Sequence, residues 1–336
     1  MLFQPAIIAL LLASIATLAV VVGAIPFAVS ILRHWDLSSG SARQLALERR
    51  TYFVSTAVTF VVAVQALALL LYVFNADRMA VMFVGAMCAV GTLQVNAYGM
   101  PALLAQIAVF FAAAVWLAVN HADVQAPDYP LVRTKYGLLM GLAPLIAVAF
   151  VLQWRYFRGL HVDVITSCCS RLFTAGVDGL SGDLAAWRPV PALVAFYGSQ
   201  AIAIALAVRA ARRRRGGFAV AVASLAAGAA SVAGIIAVVS VYVYEQPHHH
   251  CPFCLLKADY GYVGYALYVP LFAATACGLS AGALQPFADV PSLRDVVPTL
   301  VARFARWTAA GFAIVALVST VLIMRSHLLL LSGVTP

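Results

Sequence analysis

Long apolar runs dominate the chain, and its polar positions are gathered in the short stretches between them. Runs close to the 20 or so residues that a helix needs to cross about 30 Å of hydrocarbon lie at 5–32, 52–74, 101–120, 137–153, 191–208, 218–244, 262–284 and 308–324. A further run, 79–91, is short and gives way to Gln94, Asn96 and Gly99. The pattern predicts an all-α polytopic integral membrane protein, a single membrane domain over 1–336 with about eight transmembrane helices. Residues 79–99 are expected to form a re-entrant or interfacial segment, whose backbone must then be covered by protein. The first run lacks a basic leader and is too long for a signal-peptide core, so a retained span is expected there.

Basic residues set the orientation. Arg209, Arg212, Arg213, Arg214 and Arg215 crowd the loop 209–217, which the positive-inside rule places in the cytoplasm. Walking outward from that loop, Arg133, Lys135, Arg294, Arg303 and Arg306 also fall inside. Arg33, Arg43, Arg49 and Arg50 join them if 79–99 does not cross, and fourteen of the 21 Lys and Arg are then cytoplasmic. Both termini and the loops 154–190 and 245–261 are then extracytoplasmic, and a bacterial inner (plasma) membrane is the expected location.

Composition agrees with this picture and narrows it. The chain of 336 residues is 64% hydrophobic and 10% charged, with a mean hydropathy of +0.98. Soluble domains are about 45–50% apolar and about 25% charged, so an ordinary water-soluble enzyme is excluded. The net charge of +9 follows from the orientation signal and implies the lipid bilayer, and no nucleic acid, as partner. Phosphate-binding glycine loops, zinc-protease motifs and dinucleotide fingerprints are absent from the sequence.

The six cysteines carry the candidate chemistry, and five of them fall on the expected extracytoplasmic side. Cys251 and Cys254 form a Cys-Pro-Phe-Cys motif directly after His248, His249 and His250. Pro252 suits the first position of a helix, which would make Cys251 its cap and favour a thiolate there. Lys257, three residues beyond Cys254, and His250 are the expected electrostatic support. Cys168 and Cys169 lie together in the loop 154–190, and Cys88 follows Met87 in the segment 79–99. Cys277 falls within an apolar run and reads as a small buried hydrophobe. Thiol and thioether ligands suit a soft ion such as Cu(I), and Cys/His sets also suit zinc.

Away from the cysteines, Gln65, Gln106 and Gln200 interrupt apolar runs and are expected to hydrogen-bond between helices. Tyr242, Tyr244, Tyr260 and Tyr262 flank the histidine-cysteine loop and read as an interfacial aromatic belt.

The pairing of a membrane-proximal CxxC with an outer-loop cysteine pair resembles the membrane thiol oxidoreductases of the disulfide-forming quinone-reductase and vitamin K epoxide reductase class. Cys251/Cys254 match the CxxC and Cys168/Cys169 the loop pair. Cys-Pro-Phe-Cys is also similar to the active-site motif of thioredoxin-type proteins. The resemblance implies thiol–disulfide exchange with Cys251 as nucleophile, Cys254 as resolving partner and Cys168/Cys169 passing oxidising equivalents. A quinone, a thioredoxin-like protein or another thiol protein would complete the exchange. Members of that class are four-helix bundles with spaced loop cysteines, whereas this chain has about eight apolar runs and an adjacent pair. Two other functions are compatible with the residues. One is soft-metal transport or delivery through His248, His249, His250, Cys251, Cys254, Cys88 and Met87. The other is a non-catalytic membrane subunit whose disulfides brace its outer loops.

Overall fold

A computed structural model describes residues 2–328 apart from 37, 38, 40, 162, 165 and 167–179. The helices are α1 (Pro5–His34), α2 (Ala42–Met79), α3 (Ala89–Leu93), α4 (Gly99–Asp123), α5 (Val132–Arg158), α6 (Leu180–Ala185), α7 (Pro189–Arg213), α8 (Gly217–Gly234), α9 (Ser240–Tyr244), α10 (Val263–Leu284) and α11 (Val296–Arg325). Among the described residues there is no strand, and eight helices are long and apolar enough to cross a membrane. The chain is an all-α polytopic integral membrane protein.

Several helices overrun the apolar runs that predict them. The first turns of α2 carry Arg43, Glu48, Arg49 and Arg50, and those of α11 carry Arg303 and Arg306. Arg and Glu are good helix formers, and long charged side chains reach into the headgroup layer from a continuing helix. The run at 79–91 does the opposite and breaks into a 3-10 turn at Ala80–Met82, bends around Gly85, and α3.

By its contacts the chain divides into two compact units, Met1–Asn75 with Leu93–His161 and Pro286–Pro298, and Ala76–Thr92 with Val162–Gln285 and Thr299–Pro336. In the first, α1, α2, α4 and α5 enclose an apolar core that includes Ile31, Val62, Trp116 and Leu139. A ring of polar side chains ties these four helices together. Ser14 Oγ donates to Gln153 Oε1 at 2.9 Å, Gln106 Nε2 donates to the same oxygen at 2.8 Å, and Gln65 Nε2 donates to Gln106 Oε1 at 2.9 Å. Each partner needs such a bond because hydrocarbon offers none. Nearer the helix ends, the fully buried Lys135 pairs with Asp123 at 2.6 Å and also donates to Ser55 and Asn120. Lys135, counted in the sequence among the orienting charges, is held in a buried ion pair.

In the second unit α8 packs against both α10 and α7. Small residues set the approach: a Cβ on Gly278 would collide with Ser224, and one on Gly228 would crowd Thr275. Ala227 and Ser231 of α8 are fully buried, and Gln200 Nε2 of α7 donates to Ser231 Oγ at 3.0 Å. This matches the close, small-residue packing of membrane helices. α8 then passes through one π-helical turn, Ile235–Val239, into α9.

A buried three-cysteine site

The π turn is where the site begins. A π turn changes the helical register and leaves carbonyls free for other donors, and the Ile236 carbonyl accepts from Ser240 Oγ at 3.1 Å and lies 3.0 Å from His250 Nδ1. Burial pushes the His250 imidazole below its usual range, an effect opposed by the nearby carbonyls of Ile236 and Pro247. This histidine thus anchors the returning loop onto α8.

Two phenols fix the next two residues. Tyr244 Oη donates to the Cys251 carbonyl, and Tyr268 Oη donates to the Pro252 carbonyl at 2.9 Å. The Tyr244 ring is stacked near His249 and Tyr260, with centroids 4.2 and 4.5 Å away. Tyr242 and Tyr244 are buried, at 4% and 6% exposure. Tyr244 is a structural brace of the loop, while Tyr262, half exposed, remains at the surface.

The expected helix cap at Cys251 is not formed. The helix that follows is a single 3-10 turn, Cys254–Leu256, with Phe253 at its N-cap. The carbonyls of Cys251 and Pro252, which would be the first acceptors of an α-helix starting there, are taken by Tyr244 and Tyr268. Dipole activation of the Cys251 thiol therefore has no helix behind it. Lys257 stands just beyond the turn, 3.0 Å from Asp259. Its ammonium is held above the usual lysine range mainly by that hydrogen bond, with Asp77 and Cys254 adding smaller effects.

Cys88 arrives from a distant part of the sequence. Gly85, at φ +84°, packs against the carbonyl of Thr166 at a point a Cβ would occupy, and the Thr166 amide donates to the Val84 carbonyl at 2.9 Å. This bend turns the chain so that Cys88 enters the apolar cluster formed with Val90, Ile236, Val239, Leu255, Leu267 and Leu271. Asp77, at the end of α2, accepts from the Ala89 amide beside it.

The Sγ atoms of Cys88, Cys251 and Cys254 all lie within 4.8 Å of one another. Cys88 and Cys251 are 163 residues apart in sequence and 3.7 Å apart at sulfur. Exposure is 0% for both and 4% for Cys254. Among the described residues no cysteine is in a disulfide. His248 is exposed, His249 lies beside Tyr244 and His250 is held at Ile236, and among the described residues the group whose ligand atoms lie within 4.8 Å of one another consists of the three cysteines. Met87 is 68% exposed, outside the buried cluster. Cys277 lies in α10 and is not part of it. Cys168 and Cys169 lie outside the described residues.

The soft-metal set expected from the sequence includes all three cysteines, and the structure brings them together without the histidines or Met87. As parts of the site, the braces Tyr244 and Tyr268 and the bend at Gly85 emerge only in the structure. The density of tyrosines around the CxxC and the glycine three residues before Cys88 were the available signals. No family model, curated protein or solved structure matches the chain.

Proposed function

We propose that Cys88, Cys251 and Cys254 form a thiolate site for a soft metal ion of the Cu(I) type, and that the protein transports or delivers that ion at the extracytoplasmic face of its membrane. The observation that carries this reading is the convergence of three buried sulfurs from two distant segments. Sulfurs sharing a metal at about 2.3 Å stand roughly 3.8–4.0 Å apart, whereas disulfide sulfurs are about 2.05 Å apart. The 3.7 Å between Cys88 and Cys251 is close to the first of these. A set of three sulfurs suits a soft ion such as Cu(I). Burial also opposes direct exchange with a soluble thiol protein, which has to reach a sulfur to attack it.

Thiol–disulfide chemistry is the second reading, favoured by the position of Cys251 within reach of both other thiols. Oxidation of Cys88 and Cys251 to a disulfide would release two electrons and two protons, which a membrane quinone would take up as quinol. Tag-free protein prepared anaerobically distinguishes the two. X-ray absorption after Cu(I) addition is expected to show one copper per chain bound by three sulfurs. A chain that takes up no copper and whose thiols instead oxidise in pairs on quinone addition would replace the metal reading by the redox one.

A further inference from the structure

The end of the second unit that carries Arg212–Arg215 holds a feature that the cysteine site does not use. α7 and α11 run antiparallel there: Tyr197 meets Thr320 through their hydroxyls at 2.9 Å, while Ala207 and Ala210 pack with Ala305 at the other end. Alanines at that crossing leave room between the helices, and a cavity of about 400 Å³ opens beside them. Arg212, Arg214 and Arg306 line it together with Val208, Ala302 and Ala309. Three cations share the cavity, and among the described residues no salt bridge engages any of them. Arg306 Nε donates to the Ala302 carbonyl of its own helix at 3.3 Å.

The turn that presents Arg214 is fixed in an unfavourable conformation. Arg214 caps α7 at φ +53°, a left-handed geometry that is unfavourable for a non-glycine residue. Gln285 Oε1 accepts from the amides of Gly216 and Gly217, both at 2.9 Å, and locks the turn from α10. Gly216 takes φ +95° beside it. The backbone that carries Arg214 is therefore held in place beside the cavity.

We propose that this cavity is a binding site for a phosphate-bearing anion, and specifically for the headgroup of an anionic phospholipid. Guanidinium groups bind phosphate oxygens in forked pairs. The wall below the arginines is apolar and belongs to two membrane-crossing helices. A ligand with a phosphate at one end and acyl chains at the other matches both surfaces, as basic pockets between membrane helices do for acidic lipids.

The test uses the full chain in detergent and native mass spectrometry with added phosphatidylglycerol. Phosphatidylcholine and millimolar inorganic phosphate serve as comparison ligands. Wild type should retain one phosphatidylglycerol in preference to phosphatidylcholine, and R212Q/R306Q should bind it roughly tenfold or more weakly. R213Q/R215Q removes the same charge from residues that do not line the cavity and should bind as wild type does. Displacement of phosphatidylglycerol by millimolar inorganic phosphate would overturn the lipid assignment and point to a soluble phosphate instead. Equal weakening in both double variants, or equal binding of phosphatidylcholine, would overturn the proposal. Should R212Q/R306Q fail to fold, R212K/R306K keeps the charge without the fork, and unchanged selectivity for phosphatidylglycerol in that variant would also overturn it.

Discussion

Replacing Tyr244 by Phe removes one hydroxyl and leaves the ring in place. The lost bond is the one to the Cys251 carbonyl, and both residues are buried, Tyr244 at 6% exposure and Cys251 at 0%. Leaving a buried acceptor unsatisfied costs about 1–3 kcal/mol, so the thermal midpoint of the protein should fall. The cost to metal binding has a different origin. If the Cys251 backbone is no longer held, loading must order it, at about 1–2 kcal/mol for one residue, which corresponds to roughly 5- to 30-fold weaker Cu(I) binding. Competition against a chromophoric Cu(I) chelator, in tag-free protein, measures this directly. Tyr268→Phe, which frees the adjacent Pro252 carbonyl, should have a similar effect, and Tyr262→Phe, at a half-exposed position, should have none. Unchanged Cu(I) affinity in Tyr244→Phe alongside a clear loss in Tyr262→Phe would refute the idea that the buried phenols pre-organise the loop.

Three further changes test the scaffold, each read by thermal or chemical unfolding in the same detergent. Lys135→Met should destabilise by about 3–5 kcal/mol because it leaves Asp123 buried without its cation, and adding Asp123→Asn should recover most of the loss. Gln106→Leu removes the residue that links Gln65 to Gln153 and should cost about 1 kcal/mol. Gly278→Val places methyl groups where Ser224 of α8 stands and should destabilise by about 1–3 kcal/mol through overpacking.

The sequence was most legible where one physical rule acts alone. Hydrocarbon thickness determines how long an apolar run must be, so the eight membrane helices were predictable, and their ends were displaced only where Arg and Glu extended the helix beyond the apolar core. Gln65 and Gln106 were recognisable as cross-helix partners because an amide in hydrocarbon must find one. Gln153 and Ser14 complete their ring but carry no comparable signal, since a glutamine near a helix end and a lone serine are common in such chains. Lys135 counts in the sequence only as an orienting charge, and tertiary packing pairs it with Asp123 in the interior.

At the site, residue types were legible and geometry was not. Cys251 and Cys254 announce themselves by spacing, yet their local conformation depends on Tyr244 and Tyr268, whose hydroxyls take the carbonyls that a helix would have used. Spacing along the chain said nothing about Cys88, because its approach depends on a bend at Gly85 held by Thr166. His250, the expected electrostatic support for a thiolate, is held at the π turn that follows α8.

The contribution of Cys88 is the most direct test of the account, because a site built on the CxxC alone would not need it. Copper and free-thiol content should be measured per chain in tag-free protein isolated from native membranes, for wild type, Cys88→Ser and Cys251→Ser. The three-sulfur site predicts about one copper per wild-type chain and loss of that copper in both variants. Wild-type protein without copper, or a Cys88→Ser variant that keeps its full complement, would contradict it.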